Sequence, residues 1–288
     1  RVFTVSGKDR AAIMLAGHRA DAAYWLDRKH TGQFTTSRYY RDSLPEWVRE
    51  WTAEYLFSAV PEEWAHSADL SSESLRRDDY PGEDDSFRRV TPHRVKWKDD
   101  FATSIEAFSY SPYLDQRTLD FAQQLIVEEE LGRAGRTDLL AVSLSGIDLI
   151  GHAYGPFSHE SVDALQILDD DLGKFLAFLE KRVGRQHMLV VLSADHGVLA
   201  LPEWLDEGPS PCPVSPSRIS PSQLGTALSR HLDERFGGGP GPWFIRNHLG
   251  FFFLPQRLKE GELDPIEVQG VAAEWLKAQP GVGTVVSR

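Results

Sequence analysis

Leu139-Leu140-Ala141-Val142-Ser143-Leu144-Ser145 runs straight into Gly146-Ile147-Asp148-Leu149-Ile150-Gly151-His152, and the reading of this stretch decides the fold. An uncharged run of Leu, Val and Ala spells a strand buried on both faces, the pattern of a parallel sheet covered by helices. A second apolar run, Met188-Leu189-Val190-Val191-Leu192-Ser193, opens in the same way onto Ala194-Asp195-His196-Gly197. In an open α/β sheet, sites are built in the crevice outside the carboxyl ends of the strands. Two strands that each deliver an Asp and a His to that end predict one shared site, with Asp148, His152, Asp195 and His196 as metal ligands. Carboxylate oxygen with imidazole nitrogen is a zinc-type donor set. An Asp before His-Gly also suits a simple turn, and it is the repetition of the pair that favours ligation.

Working outward, Phe3-Thr4-Val5-Ser6 reads as the end of another strand, and Ala11-Ala12-Ile13-Met14-Leu15-Ala16 as a buried helix stopped by Gly17. Lys8 and Arg10 lie in the turn between them. A planar guanidinium fork and an ammonium point charge at one strand-to-helix turn can clamp an oxyanion beside a metal site. Ala20 to Leu26 and Gln33 to Ser37 predict a small accessory hairpin around Asp27 to Gly32, and Pro45-Glu46-Trp47 opens a helix. The stretch Asp69 to Asp100, rich in Ser, Asp, Arg and Pro, predicts loop, with Glu83-Asp84-Asp85 as solvated surface.

A helix from Leu114 to Leu131 precedes the first metal strand. A second, capped by Ser158 and ended by Gly184, carries Leu165, Leu168, Leu172, Phe175, Leu176 and Leu179 as its core stripe. Helix, strand, helix, strand, with so long a crossover, suits parallel pairing. Asp169-Asp170-Asp171 tempts as a metal site, but its members face different ways on that helix. The expected architecture is therefore α/β: a mostly parallel sheet flanked by helices, with the accessory hairpin and a cap-like insertion. One domain over 1–288, incomplete at both ends, is the expected organisation, with 203–260 as a cap subdomain. That segment holds the Pro-rich Gly208 to Pro213 and the turn Gly237 to Pro242, which bracket a helix near Ser222 to Phe236. A strand Gly250 to Leu254 and a helix Asp264 to Ala278 complete the chain's later third.

At 288 residues, 41% hydrophobic and 26% charged, the chain can bury a sizeable core. Its formal charge of −12 argues against nucleic acid as a partner and repels a phosphate dianion at long range. Attraction for such an anion must then be local, from metal, Lys8 and Arg10. Cys212 is alone, so no disulfide forms within the chain and the redox compartment is not legible. No stretch is apolar enough over a sufficient length to span a bilayer, and no signal peptide is visible.

Several separate motifs share one resemblance. They are Ser6-x-Lys8-x-Arg10-Ala11-Ala12-Ile13, Thr36-Ser37-x-Tyr39-Tyr40 with Leu44-Pro45-x-Trp47, Ser111-Pro112, Asp148-x-x-Gly151-His152-x-x-Gly155-Pro156-x-Ser158-x-Glu160 and Ser193-Ala194-Asp195-His196-Gly197. Together they resemble the alkaline phosphatase superfamily, specifically its PafA-like zinc-dependent alkaline phosphatases. The resemblance implies that Asp148 and His152 belong to one zinc and Asp195 and His196 to the other. It also implies that Lys8 and Arg10 contact the transferred phosphoryl oxygens. The activity it implies is that of a phosphate monoester hydrolase with two zinc ions, a small phosphate monoester as substrate, and a periplasmic or secreted location. Phosphodiesterase and nucleotide pyrophosphatase relatives share the metal motifs but lack the Lys and Arg pair; they are the alternative, along with a catalytically inactive fragment.

No segment matches the family's first Asp ligand, its Thr or Ser nucleophile, or its last His, so the chain reads as an internal fragment with the nucleophile elsewhere. Among substitutes, His248 reads as a structural strand-edge residue, His159 as a solvated helix start and His18 as a loop residue. Ser145 and Thr36 lack a His base to activate them.

Overall fold

A computed structural model describes residues 1–66, 75–97, 99–133, 135–207, 218–247 and 250–287. Cys212 and His248 lie outside the described residues, as does the Pro-rich segment at 208–213. The elements run β1 (Val2–Ser6), α1 (Asp9–Ala16), β2 (Ala22–Leu26), β3 (Phe34–Thr35), α2 (Glu46–Tyr55), β4 (Glu63–Trp64), β5 (His93–Arg94), α3 (Phe101–Ser109), α4 (Tyr113–Glu128) and β6 (Leu139–Ser143). They continue with α5 (Gly146–Tyr154), α6 (His159–Val183), α7 (Pro202–Glu207), α8 (Pro221–Phe236), β7 (Phe244–Asn247), β8 (Gly250–Phe253), α9 (Pro255–Glu260) and α10 (Pro265–Lys277). These fall into two compact units, Arg1–Trp204 and Leu205–Arg288.

In the first unit the apolar strand β1 is buried from Phe3 onward and lies inside a four-stranded sheet of order β3-β2-β1-β6. It pairs parallel with β2 on one side, Phe3 opposite Ala22, and parallel with β6 on the other, Val2 opposite Leu139 and Ser6 opposite Ser143. The expected hairpin is present. Its first strand is part of the main sheet, however, and β3 closes that edge antiparallel, with Trp25 opposite Thr35. The core beneath is aromatic: Phe34 stacks on Phe121 of α4 at 4.1 Å, and Tyr24 and Trp51 meet the same ring edge-on. Such pairs add about 0.5–1.5 kcal/mol each beyond the area they bury. Gly7 is needed where β1 turns into α1, because a Cβ there would lie 2.9 Å from Leu114 Cδ2.

Four expectations are corrected. Leu139–Ser143, read as a strand buried on both faces, is the edge strand β6: β1 alone pairs with it among the described residues, none of its residues is buried, and Leu139 is 57% exposed. Helix α1 does start and stop near the expected residues, with Gly17 at its C-terminus, but only Ala12 and Ala16 are buried and Ile13, Met14 and Leu15 face solvent. One short helix on the sheet has room to bury only its small residues. Met188–Ser193 is not a strand: after α6 and a single 3-10 turn, Arg185–His187, the chain leaves Met188 extended and pairs with no sheet among the described residues. Leu189 is 89% exposed and Leu192 87% exposed. The stretch Asp69 to Asp100 is not merely solvated loop in its described part. Strand β5 pairs with β4, and Arg76 and Glu83 are buried against each other at 2.8 Å. A carboxylate that finds a guanidinium can be covered where a lone one cannot.

The second unit has its own core, in which Leu228 and Leu232 of α8, Trp243, Leu258 of α9 and Val268, Ala272 and Leu276 of α10 pack together. Strands β7 and β8 form an antiparallel hairpin, Phe244 opposite Phe253. The Arg257 guanidinium lies over the Trp243 ring at 4.2 Å and donates to the Gly237 carbonyl at 2.9 Å. Buried arginine is tolerated here because the face of its guanidinium and one of its donors are both used.

Candidate functional site

Parallel neighbours in register end together, so the turns after β1 and β6 emerge side by side. The Ser6 and Ser145 hydroxyls, one from each turn, are 3.1 Å apart, and Ser6 Oγ accepts the Lys8 backbone N–H at 3.1 Å. Lys8 is the N-cap of α1, and its side chain projects toward the start of α5.

Helix α5 is anchored from below by Asp115 of α4. This buried carboxylate accepts the Gly146 N–H at 2.7 Å and the Ile147 N–H at 3.1 Å, satisfying two donors that a helix start leaves unpaired. Burial pushes the Asp115 carboxyl up to about 6, against the pull of those N–H groups and the Lys8 charge. A Cβ at position 146 would sit 2.9 Å from Asp115 Oδ2, so glycine is required for the approach. Sequence reasoning misses Asp115. The available signal is its spacing: with Thr118, Leu119, Ala122 and Ile126 it forms the buried stripe of α4, where an acid needs a partner.

Asp148, in the first turn of α5, is the hub. The Lys8 ammonium contacts its Oδ2. Its Oδ1 lies 3.5 Å from His152 Nε2, one helical turn on, and 3.6 Å from His196 Nε2. Asp195 Oδ2 lies 3.6 Å from the same His196 nitrogen. Burial raises the Asp148 carboxyl, but the Lys8 hydrogen bond and charge, with the two imidazoles, outweigh it and hold it below its ordinary value. The structure thus brings Lys8, Asp148, His152, Asp195 and His196 together, although the segment carrying the last two is no strand. Asp195 and His152 are open to solvent. Arg10, exposed on the first turn of α1, makes no ion pair among the described residues.

These separations suit a cation better than they suit hydrogen bonds. At 3.5–3.6 Å the oxygen and nitrogen atoms are too far apart for direct bonding. Two ligands of a tetrahedral zinc, at 2.0–2.2 Å from the ion, stand about 3.4 Å apart. Each pair therefore has the separation of two ligands of one ion, while no three of these four donors lie within 4.8 Å of one another. The weighed hydroxyls are engaged elsewhere: Thr36 Oγ1 donates to the Ala23 carbonyl at 2.7 Å, and Ser145 Oγ is paired with Ser6. His18 meets the Tyr39 hydroxyl at 3.3 Å, away from this cluster.

Residues 5–207 match the family described as type I phosphodiesterase / nucleotide pyrophosphatase. Alkaline phosphatase PhoV of Synechococcus elongatus is 37% identical over 287 residues, which is 98% of this chain and 50% of that protein. Alkaline phosphatase PafA of Elizabethkingia meningoseptica is 29% identical over 291 residues, 100% of this chain and 52% of PafA. The crystal structure of wild-type PafA superposes with a TM-score of 0.86 at 28% identity, covering 100% of this chain and 54% of that one. The chain spans about half the length of the curated relatives it matches. A family match over most of the first unit, a relative similar across nearly the whole chain and a shared α/β fold agree: this chain belongs to the type I phosphodiesterase / nucleotide pyrophosphatase family and, within the alkaline phosphatase superfamily, is PafA-like.

Proposed function

We propose that these residues form the electrostatic half of a two-zinc phosphate monoester hydrolase of the alkaline phosphatase type. The observation that carries the reading is the convergence of Lys8, His152 and His196 on Asp148. Asp148 and His152 would hold one zinc, and Asp195 and His196 the other. Paired zinc ions supply Lewis acidity to phosphoryl and leaving oxygens and lower the pKa of an attacking hydroxyl.

The chain's own part is to gather charge. Asp148 and Asp195 concentrate negative charge where cations belong, and Lys8 balances Asp148. The same ammonium, with the Arg10 fork two residues on, can face the equatorial oxygens of a phosphoryl group in flight, whose charge grows there in the transition state. A monoester offers one more such oxygen than a diester, so this pair favours the monoester. The names of PhoV and PafA support that choice.

The family description supports the second reading, a phosphodiesterase or nucleotide pyrophosphatase. Also part of the proposal are a small phosphate ester rather than nucleic acid as partner, a periplasmic or secreted location, and substrate choice by the cap-like segment 203–260. No residue of the chain is assigned as nucleophile. The proposal therefore includes that these 288 residues alone do not turn over.

The test compares an aryl phosphate monoester with a bis-aryl diester, using the whole zinc-loaded protein. Lys8→Ala and Arg10→Ala should each lower monoester kcat/KM by on the order of a hundredfold, about 3 kcal/mol of transition-state stabilisation, and leave diester turnover nearly unchanged. Equal losses on the two substrates would favour the diesterase reading.

A further inference from the structure

A second set of metal-type donors lies among residues that the two zinc pairs do not use. His66 follows β4, Asp78 sits in the segment before β5, and His159 and Glu160 open α6 behind the Ser158 cap. One donor atom from each of His66, Asp78 and His159 lies within 4.8 Å of the others. His159 Nδ1 is 4.0 Å from Asp78 Oδ1, and His66 Nε2 is 3.7 Å from Glu160 Oε1.

Two of these atoms are orphaned. His66 Nε2 and Asp78 Oδ1 are buried without a hydrogen-bond partner among the described residues, and the His66 side chain is only 9% exposed. An unsatisfied buried polar atom is costly, and two facing one another across a gap is not how a fold disposes of them. The gap is too wide for a direct bond. It is of the size that one ion, drawing its ligands in by several tenths of an ångström, would close.

Asp78 is also held from behind, as a ligating carboxylate is, and the neighbouring Glu160 is fixed by His93. Glu160 Oε1 accepts from His93 Nε2 at 2.9 Å, and His93 is positioned by the Tyr154 hydroxyl at 3.2 Å from its Nδ1. The outer oxygen of Asp78 accepts the Thr91 N–H at 3.3 Å. Asp78 thus keeps one anchored oxygen and leaves the other facing His159, whereas the Glu160 oxygen nearest His66 is the one His93 already holds.

We propose that His66, Asp78 and His159 bind a divalent first-row transition ion, zinc foremost, at a site of its own. Two imidazoles and one carboxylate suit zinc better than calcium or magnesium, which take oxygen alone. The ion would pin the segment between β4 and β5 to the start of α6, the helix that comes directly after α5. Its role is structural, so its loss should be read in metal content and melting temperature rather than in turnover.

The experiment uses the full chain carrying Asp148→Asn and His196→Gln, which disables the other cluster. After loading with zinc and gel filtration, about one equivalent should remain bound, and cobalt in its place should give the visible absorption of a tetrahedral ion. Adding His66→Gln should remove both the retained metal and the rise in Tm that zinc produces. His159→Gln, at a half-buried helix start more exposed than His66, should do the same and serves if the more deeply buried position fails to fold. Retention of no metal by the double variant, or metal content and cobalt spectrum unchanged by both histidine substitutions, would overturn the site.

Discussion

Leu139–Ser143 and Met188–Ser193 look alike as sequence: each is an apolar run that ends in an Asp and His pair. Their fates differ. The first is β6, joined to β1 along five registered pairs, with the turn beyond it nailed down by Asp115. The second has no strand beside it among the described residues, and its leucines stand in solvent. An apolar run states a demand for cover but not the identity of the cover. What separates the two runs is neighbours: β6 has a buried strand to pair with and a carboxylate waiting under its turn, and Met188–Ser193 has neither among the described residues.

The largest effect that could break this contrast is in amide exchange. Backbone N–H groups of β6 that pair with β1 should exchange about a thousandfold more slowly than those of Leu189 to Ser193, because the former open only with the unit itself. Comparable protection in the two runs, measured by mass spectrometry on the full chain, would show that the second is covered after all.

A smaller effect sharpens the role of the turns. Asp115→Ala leaves two buried N–H groups unpaired and should cost about 2–4 kcal/mol in denaturant unfolding. Asp195→Ala removes an exposed group from an unanchored turn and should stay within about 0.5 kcal/mol. Similar losses at the two positions would mean that Asp115 is not the anchor described.

The smallest effect is a slope with pH. Because the folded chain holds the Asp115 proton up to about 6 while the unfolded chain releases it near the ordinary Asp value of about 4, the folded state binds more protons in that window. This contribution to stability is therefore full below about pH 4 and is lost as pH rises toward 6. Asp115→Asn should flatten that part of the unfolding profile, and Asp195→Asn should leave it as it is. A profile that rises through this window on account of Asp115 would reverse the assignment.

Much of this is legible in the residues themselves. Ser158 caps α6 through the Ser161 N–H at 3.0 Å and Gly184 ends it, as the capping rules require. The helices α8 and α10 and the strand β8 fall close to their expected bounds, and their core faces are apolar. The stripe on α6 begins one residue earlier than its leucine spacing predicts. Ala164 is buried and Leu165 exposed, and on that same side Trp64 Nε1 donates to the buried Asp163 at 2.8 Å. Such polar contacts between distant segments leave no periodic trace. For the same reason Glu83, in an acidic run, cannot be foreseen as the buried partner of Arg76. The site residues Asp148 and His152 are visible because one helix holds them a turn apart. That His196 reaches Asp148 without a strand behind it depends on the path of the chain after α6, which composition does not encode.

The hydroxyl contact between Ser6 and Ser145 fixes two otherwise independent turns to each other. Ordering a residue costs about 1–2 kcal/mol of conformational entropy, and in these turns that cost is met when the domain folds rather than when an anion arrives. An incoming phosphoryl group would find the Lys8 backbone and the first turn of α5 already at rest relative to one another, so that little of its attraction would go into stiffening the protein that receives it.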